Sequence, residues 1–344
     1  MKIQRYLLEQ IKTDLGKKKI LIIYGPRQVG KTTLASEFIS YPNSVYYNCD
    51  LDEIKISFEQ ANLEKLSSLV KKYDTIIIDE AQRAKGIGLA LKILFDNFPE
   101  KNYIVTGSSS FDIANMASEP LTGRFFSYTL FQVAELELAK VSNPISLKES
   151  LEDRLLYGSY PEVITAPDAE TKQKIIRNIA SNYLFKDLLA VGGVRDSDTL
   201  KKLLQAVALQ IGSEASHTEL ANIAGVDKNT VRKYLEICEK LFIIHSLPPF
   251  YSNKRKAISK LKKYYFYDLG VRNALISNFN VLRTRSDAGP IWENYIINER
   301  MKFNASRGFE PYLYFFKSYQ RQEIDLLEDK APSIYFATID IRLQ

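Results

Sequence analysis

Short apolar runs alternate with longer mixed segments over the first 135 residues of the chain. Each run ends on glycine or polar residues, and the segments between the runs have the length of a helix. A continuous apolar run is typical of a strand that is buried on both faces, as in the parallel sheet of an α/β domain. The pattern therefore predicts a parallel sheet covered by helices, with strands in KILIIYG (19–25), SVYYNCD (44–50), TIIIDE (75–80) and NYIVTGSS (102–109).

The pattern changes after about residue 140. Helical spacing without strand runs continues to about residue 210, and it is followed by two short helices, a basic segment that resembles a hairpin, and strand-like runs near the end. Composition shifts of this kind mark domain boundaries. We therefore predict an α/β domain at 1–140, a helical linker at 141–210, a winged helix-turn-helix at 211–275 and a smaller α/β tail at 276–344.

Composition excludes several classes of protein. Of the 344 residues, 45% are hydrophobic and 26% are charged, as in ordinary globular proteins. The 47 Lys and Arg exceed the 41 Asp and Glu by six, which permits nucleic-acid binding without requiring it. Cys49 and Cys238 lie far apart and lack metal-ligand spacing, so a disulfide framework and a cysteine-rich zinc site are excluded. Because we find neither a signal peptide nor a membrane span, we expect a cytoplasmic protein without membrane contact.

A phosphate-binding motif follows the first predicted strand and opens a helix predicted from Thr32 to about Ile39. The pattern G-x-x-x-x-G-K-[ST] uses glycines so that backbone N–H groups can surround the phosphates. Lys31 would reach the β and γ oxygens, and the Thr32 hydroxyl would bind Mg²⁺. The motif predicts a nucleoside triphosphate with Mg²⁺ in a loop of Gly25, Pro26, Arg27, Gln28, Val29, Gly30, Lys31, Thr32 and Thr33.

Two carboxylates end the third predicted strand, at the edge where open α/β sheets bind their ligands. In phosphoryl transfer one carboxylate holds Mg²⁺ and another residue polarises the attacking water. We assign Asp79 to the metal and Glu80 to the water.

Two further positions are candidates for contact with the γ-phosphate. The fourth strand ends in TGSSS (106–110), which places Ser108 or Ser109 beside the γ-phosphate or the attacking water. Arg124 precedes the predicted strand FFSYTLF. An arginine supplied to a γ-phosphate stabilises the charge of the transition state. Arg124 is therefore a candidate arginine finger, which would act either on the γ-phosphate of a neighbouring chain or on that of the same chain.

These motifs, in this order and spacing, resemble those of the AAA+ (ASCE) P-loop ATPases of bacteria and archaea that carry an additional C-terminal region. The resemblance implies the ASCE sheet order, binding and hydrolysis of ATP by the phosphate loop and the acidic pair, and an arginine finger at Arg124. It covers most of the chain, through GPRQVGKTT, IIIDEAQ, VTGSSS, LTGR, YGSYPE (157–162), YYFYDLGVRNAL (264–275), IWENYIINE (291–299) and QEIDLL (322–327).

Residues 216–240 have the spacing of a helix-turn-helix, with Ala221, Gly225 and Val231 at the positions of the small residue, the turn and the core contact. Val231, Leu235 and Cys238 form one apolar stripe, which makes Cys238 a buried small hydrophobe. Duplex DNA would meet the start of the second helix and a basic segment behind it; the candidate contacts are Lys228, Asn229, Thr230, Arg232, Lys233, Lys254, Arg255 and Lys256. The alternative is a protein-interaction or lid domain.

The last region, through the same resemblance, is similar to a restriction-endonuclease fold in which a helix Glu, an Asp and a strand E-x-K bind metal and activate water. Glu293 and Asp325 match the first two parts. The run SIYFATIDIR places Thr338 and Asp340 where Glu and Lys belong, and the looser pairing of Asp340 with Arg342 also lacks the lysine. We therefore expect a degenerate or truncated nuclease-like tail.

His217 and His245 have no ligand pattern, and we interpret them as cap or packing residues. Three hypotheses remain for the whole chain. It is an ATPase that remodels DNA or a protein client, a nucleotide-switched DNA-binding regulator with slow turnover, or a metal-dependent nuclease. Each hypothesis is compatible with a homo-oligomer.

Overall fold

The computed structural model describes residues 3–108, 121–183, 196–251, 261–318, 322–330 and 333–337. The chain divides into two compact units, a first unit of Lys2–Phe131 and a second unit of Gln132–Gln344. The predicted boundary at residue 140 lies nine residues after the end of the first unit.

The first unit contains a five-stranded parallel sheet in the order β2-β3-β4-β1-β5. This confirms the predicted α/β class. The strands are β1 (Ile20–Tyr24), β2 (Ser44–Asn48), β3 (Thr75–Asp79), β4 (Asn102–Gly107) and β5 (Phe125–Thr129). The helices are α1 (Leu7–Asp14), α2 (Lys31–Ser36), α3 (Asp52–Glu59), α4 (Leu63–Val70), a 3₁₀ turn (Ala81–Arg83) and α5 (Ile87–Asn97).

The apolar runs form the central strands because both faces of the sheet are covered. Every residue of β3 is buried, and Ile22, Ile78 and Val105 from three strands share one core with the inner faces of α4 and α5. Strand β4 separates β1 from β3, so the strands that lead into the phosphate loop and the acidic pair are not neighbours.

Helix α2 is shorter than predicted and ends at Ser36 rather than near Ile39. The next residues bond three positions back, since the amides of Phe38 and Ile39 donate to the carbonyls of Ala35 and Ser36. This bonding tightens the chain into turns and stops the α-helical pattern.

The second unit begins with helices and contains two small antiparallel sheets, ordered β6-β8-β7 and β11-β10-β9. Its helices are α6 (Glu135–Leu138), α7 (Pro144–Glu149), α8 (Leu151–Tyr157), α9 (Pro161–Thr165), α10 (Ala169–Asn178), a π-helix (Ile179–Tyr183), α11 (Ser197–Leu209), α12 (His217–Ala224), α13 (Lys228–Lys240), α14 (Leu269–Leu275), a 3₁₀ turn (Leu282–Thr284) and α15 (Ala288–Ser306). Its strands are β6 (Glu214–Ala215), β7 (Ile244–Leu247), β8 (Lys262–Phe266), β9 (Tyr312–Lys317), β10 (Glu323–Lys330) and β11 (Ser333–Ala337).

Helices α12 and α13 have the caps that the sequence pattern requires. Ser216 caps α12, and Gly225 ends it in the left-handed conformation at φ 71°. Asp227 then caps α13 by accepting from the amides of Asn229 and Thr230. Strands β7 and β8 follow as an antiparallel pair. Within the described residues, no helix of either unit has both the length and the apolar character needed to cross a membrane.

The tail of the second unit packs on the strand pair β7–β8. Tyr265, Ile291, Phe315 and Leu326 belong to one buried cluster, so β8, α15, β9 and β10 share a core. The predicted helix followed by strands is therefore present at the end of the described chain.

Candidate functional site

The glycines of the phosphate-binding loop are required by the backbone. Gly25 has φ 146°, and a Cβ there would lie 2.2 Å from the Leu130 carbonyl oxygen. Gly30, which precedes α2, has φ 94°, and Gln28 takes the left-handed conformation at φ 61°. Any side chain at position 25 would collide with the backbone of Leu130, the residue after β5, so the loop can curl only with glycine there.

Lys31 opens α2 and is buried, with its ammonium group inside the loop. Its Nζ donates to the carbonyl oxygens of Gly25, at 2.9 Å, and Pro26, at 2.6 Å. A buried ammonium needs such acceptors. Phosphate oxygens entering the loop would meet this group directly.

Asp79, at the end of β3, is the centre of a hydroxyl cluster. Its Oδ2 accepts from Thr32 Oγ1 at 2.8 Å and from Tyr46 OH at 2.6 Å, and its Oδ1 accepts from Thr106. Burial, together with the hydrogen bond to Asp79, raises the pKa of Tyr46, so the phenol stays protonated and donates. Hydroxyl and carboxylate oxygens are the ligands that Mg²⁺ prefers, and the contact between Thr32 and Asp79 fits such an ion.

Glu80 follows Asp79 in the left-handed conformation at φ 52° and starts the 3₁₀ turn. Its amide donates to Thr106 Oγ1 at 3.1 Å. The side-chain amide of Gln82 donates both to the Glu80 carboxylate and, at 3.0 Å, to Ser108 Oγ. Glu80 and Ser108 are thus brought together through Gln82, and Ser109 lies outside the described residues.

Arg124 lies at the other edge of the sheet. The register pairs Ile20 with Phe125 and Tyr24 with Thr129, so Arg124 precedes β5 at the amino ends of the strands. Its guanidinium forms an ion pair with Asp96 at 2.9 Å. The phosphate loop lies at the carboxyl ends, so Arg124 does not reach the loop of its own chain.

Four residues of the site were not predicted from the sequence. Tyr46, Thr106 and Gln82 are described above, and Arg5 donates at 2.5 Å to the Val29 carbonyl of the phosphate loop. The position of Thr106 near the carboxyl end of a predicted strand was a usable signal, whereas Tyr46 lies in the middle of β2 and reaches Asp79 only through the strand order. No sequence signal pointed to Arg5, because only the tertiary structure brings it to Val29, 24 residues away in sequence.

Comparison with protein families assigns models to three ranges of the chain. Residues 17–138 match the family model described as "AAA domain". This range contains the phosphate loop, the acidic pair and Arg124. Residues 17–138 form an AAA-type P-loop domain. Residues 148–282 and 288–339 match two further models, described as "Domain of unknown function (DUF8612)" and "Domain of unknown function (DUF4143)".

Relatives of the AAA-domain protein occur in bacteria and archaea. An uncharacterized protein of Mycobacterium tuberculosis is 26% identical over 324 residues, which cover 92% of this chain and 69% of the relative. An uncharacterized protein of Methanocaldococcus jannaschii is 27% identical over 341 residues, covering 85% of this chain and 70% of the relative. The match thus extends well beyond the AAA domain.

Among solved structures, a STAND-family signal transduction ATPase with a tetratricopeptide repeat sensor from Pyrococcus horikoshii is 14% identical with a TM-score of 0.32. It covers 87% of this chain, which spans 46% of that protein. Domain III of the Thermotoga maritima replication initiation protein DnaA is 16% identical at the same score, covering 67% of this chain and 89% of that domain. With scores this low, the family model alone identifies the AAA domain.

The candidate DNA contacts of the second unit lie partly within the described chain. Val231, Leu235 and Cys238 are buried, which confirms the predicted stripe, and burial raises the pKa of the Cys238 thiol. Exposed side chains at the start of α13 are those of Lys228, Asn229, Arg232 and Lys233, while Thr230 is half-buried. The basic residues Lys254, Arg255 and Lys256 lie outside the described residues.

The two histidines have packing partners. His217 contacts the Tyr264 hydroxyl at 3.2 Å, and burial lowers its pKa. His245 contacts Asn298 Oδ1 at 2.9 Å, and burial lowers its pKa to about 4. These contacts agree with the interpretation of both histidines as packing residues.

Glu293 of the tail is paired with an internal cation. Its carboxylate accepts from Lys263 at 3.1 Å and from Tyr265 at 2.5 Å, and Lys263 also pairs with Glu323 at 2.6 Å. Asp325 lies on β10, close enough for its charge to act on Glu293. The third part of the proposed nuclease motif, at Thr338, Asp340 and Arg342, lies outside the described residues. Among the residues that the structure describes, no group of three or more His, Cys, Asp or Glu could hold a metal ion.

Proposed function

We propose that this AAA-domain protein binds ATP with Mg²⁺ and hydrolyses it to ADP and phosphate, and that the cycle drives or switches action on DNA or a protein partner. The observation that carries the proposal is the hydrogen bond from Thr32 to Asp79, 47 residues apart in sequence. It joins the end of the phosphate loop to the acidic pair in the arrangement that a nucleotide-bound Mg²⁺ needs.

Each residue of the site has a separate task. Lys31 exchanges its two loop carbonyls for phosphate oxygens, and the loop amides complete the phosphate contacts. Thr32 and Asp79 would hold Mg²⁺, which supplies positive charge to the phosphates. Glu80 accepts a proton from water while the water oxygen attacks the γ-phosphorus, the bond from that phosphorus to the bridging oxygen breaks, and ADP leaves. Ser108 would contact the γ-phosphate and so sense whether it is present.

Arg124 would act on a neighbouring copy of the chain. Its place at the amino edge of the sheet, supported by Asp96, keeps it away from its own phosphate loop. Arg124 would then stabilise the transition-state charge on the γ-phosphate only in a homo-oligomer.

The proposal is tested by ATP turnover of the purified chain, measured with and without duplex DNA over a range of protein concentrations. We expect turnover that the Lys31→Ala variant lacks, with stimulation by a partner if the cycle drives remodelling. Nucleotide-dependent DNA binding with little turnover would support the alternative of a switched regulator. Failure of the wild-type chain to bind ATP would refute both.

Exposure at the start of α13 favours DNA as the partner, since readers of the major groove place their contacts there. Changing Asn229 or Arg232 to Ala should alter the preference between sequences, with a cost of about 1 to 3 kcal/mol for each lost base contact. Neutralising the basic triplet should weaken binding to every duplex about equally and reduce its salt dependence, because phosphate contacts release counterions; the triplet is Lys254, Arg255 and Lys256. A titration without duplex binding at low salt would instead support an interaction domain.

A further inference from the structure

Gln82 connects two groups that the proposed hydrolysis needs. The 3₁₀ turn that follows Glu80 folds the chain back within two residues, so the Gln82 side chain lies against the Glu80 carboxylate. The same nitrogen, Nε2, donates to Ser108 Oγ at 3.0 Å. An amide nitrogen carries two hydrogens, so both are used and the orientation of the amide is set by these two acceptors.

The other end of this amide has no hydrogen-bond partner among the residues that the structure describes. Gln82 Oε1 is buried and accepts no hydrogen bond from any residue in the described part of the chain. Leaving a buried carbonyl oxygen unsatisfied is costly, and such groups are retained where they meet a ligand or water. The oxygen belongs to the same amide that holds the base and the candidate sensor.

Water that attacks a phosphorus atom must be held in one orientation. A base that takes one proton fixes one O–H bond, and a second acceptor fixes the other. Glu80 supplies the first acceptor in the proposed mechanism, and Gln82 Oε1 is an acceptor whose position is set by its bonds to Glu80 and Ser108.

We propose that Gln82 orients the attacking water, with its amide nitrogen fixing Glu80 and Ser108 and its amide oxygen accepting a hydrogen bond from the O–H that the water keeps. This inference rests on the proposed ATP hydrolysis and names a residue for it that sequence motifs do not assign. It also explains why Ser108 would influence hydrolysis, since a shift of its hydroxyl moves the amide that holds the water.

The test compares Gln82→Met, which keeps the side-chain length and removes both polar atoms, with the matched change Gln60→Met. Gln60 is exposed in the same unit, and its side-chain oxygen accepts only from Lys65 in the described chain. Turnover is measured together with affinity for a fluorescent ATP analogue and for ADP with aluminium fluoride, which imitates the phosphoryl group in transit. Thermal unfolding of both variants checks that the fold is retained.

We expect Gln82→Met to lower kcat by about 10- to 100-fold, the value of one or two lost hydrogen bonds to charged groups, while ATP affinity changes less than about twofold. Affinity for the aluminium fluoride complex should fall in parallel with kcat, and Gln60→Met should behave as wild type. Equal losses of ATP affinity and kcat would show a structural role and overturn the inference, as would unchanged kcat. If the wild type turns over ATP and Gln82→Met does so equally well, only the role proposed for Gln82 is refuted. If the wild type binds ATP but does not hydrolyse it, the proposed hydrolysis is refuted as well.

Discussion

Rescue between two inactive variants would show that Arg124 completes a neighbouring site. Arg124→Ala keeps an intact phosphate loop and loses the finger, whereas Lys31→Ala keeps the finger and loses the loop. Each variant alone should be nearly inactive, since an arginine finger contributes about 10³- to 10⁵-fold to turnover. Their mixture should recover activity.

The sheet register explains why the rescue must come from another chain. Arg124 lies one residue before the pair Ile20–Phe125, and the loop begins one residue after the pair Tyr24–Thr129. Six steps along a parallel strand, at about 3.3 Å each, separate the two levels by about 20 Å. The ion pair with Asp96 anchors the guanidinium at the far edge.

The size of the rescue follows from mixing. In an equal mixture half of the chains carry an intact loop, and half of their neighbours carry an intact Arg124, so about a quarter of the sites are complete if chains exchange freely. We therefore expect about a quarter of wild-type turnover per chain, with wild-type turnover itself rising with protein concentration. A mixture as inactive as its parts, with turnover per chain that is flat over a wide concentration range, would refute a finger supplied in trans.

Four substitutions probe the site and the second unit. Lys31→Ala should abolish binding of a fluorescent ATP analogue, and Glu80→Gln should preserve it while slowing hydrolysis by at least about 100-fold, because the amide keeps the shape and loses the base. Thr106→Val keeps the shape of a buried residue but removes its bonds to Asp79 and to the Glu80 amide, so denaturant unfolding should show a loss of about 2 to 4 kcal/mol; a loss below about 0.5 kcal/mol would contradict the bonding described. His245 has a pKa of about 4 in the folded chain, against about 6.5 when exposed, so the unfolded chain binds more protons between these pH values. Lowering the pH across this window should therefore reduce the free energy of unfolding of the second unit by up to about 3 kcal/mol. His245→Gln should reduce this pH dependence.

The predictable part of this protein consists of features that local chemistry dictates. The strand before the loop was predictable because a run such as that of Ile20–Tyr24 is stable only when both faces are covered. Gly25 and Gly30 were predictable because a loop that curls around phosphates needs positive φ angles, which glycine adopts most readily, and the stripe through Val231 followed from helical spacing. The chemical roles of Lys31 and Glu80 are predictions that ATP binding and turnover of their variants test.

The part of the structure that could not be predicted from the sequence depends on contacts between segments that are distant in sequence. Placing β4 between β1 and β3 brings Thr106 onto Asp79, and β2 on the outer side brings Tyr46 to the same carboxylate. No local pattern encodes which strands become neighbours. The pairing of Glu293 with Lys263 joins residues 30 positions apart and likewise arises only when α15 packs on β8.

Arg124 shows the limit most clearly. From the sequence alone it was a candidate finger for its own chain or for a neighbour, because a motif states the residue type and its order along the chain but no distance to the phosphates. The parallel register of β5 with β1 decided its edge of the sheet, since parallel strands put all their amino ends on one side and all their carboxyl ends on the other. The sequence by itself therefore determined the α/β class, the phosphate-loop motif and the helix-turn-helix pattern, which rest on short-range sterics and periodic burial. Tertiary structure decided which side chains meet at Asp79 and Glu80 and which edge Arg124 occupies, because those distances depend on strand order and register.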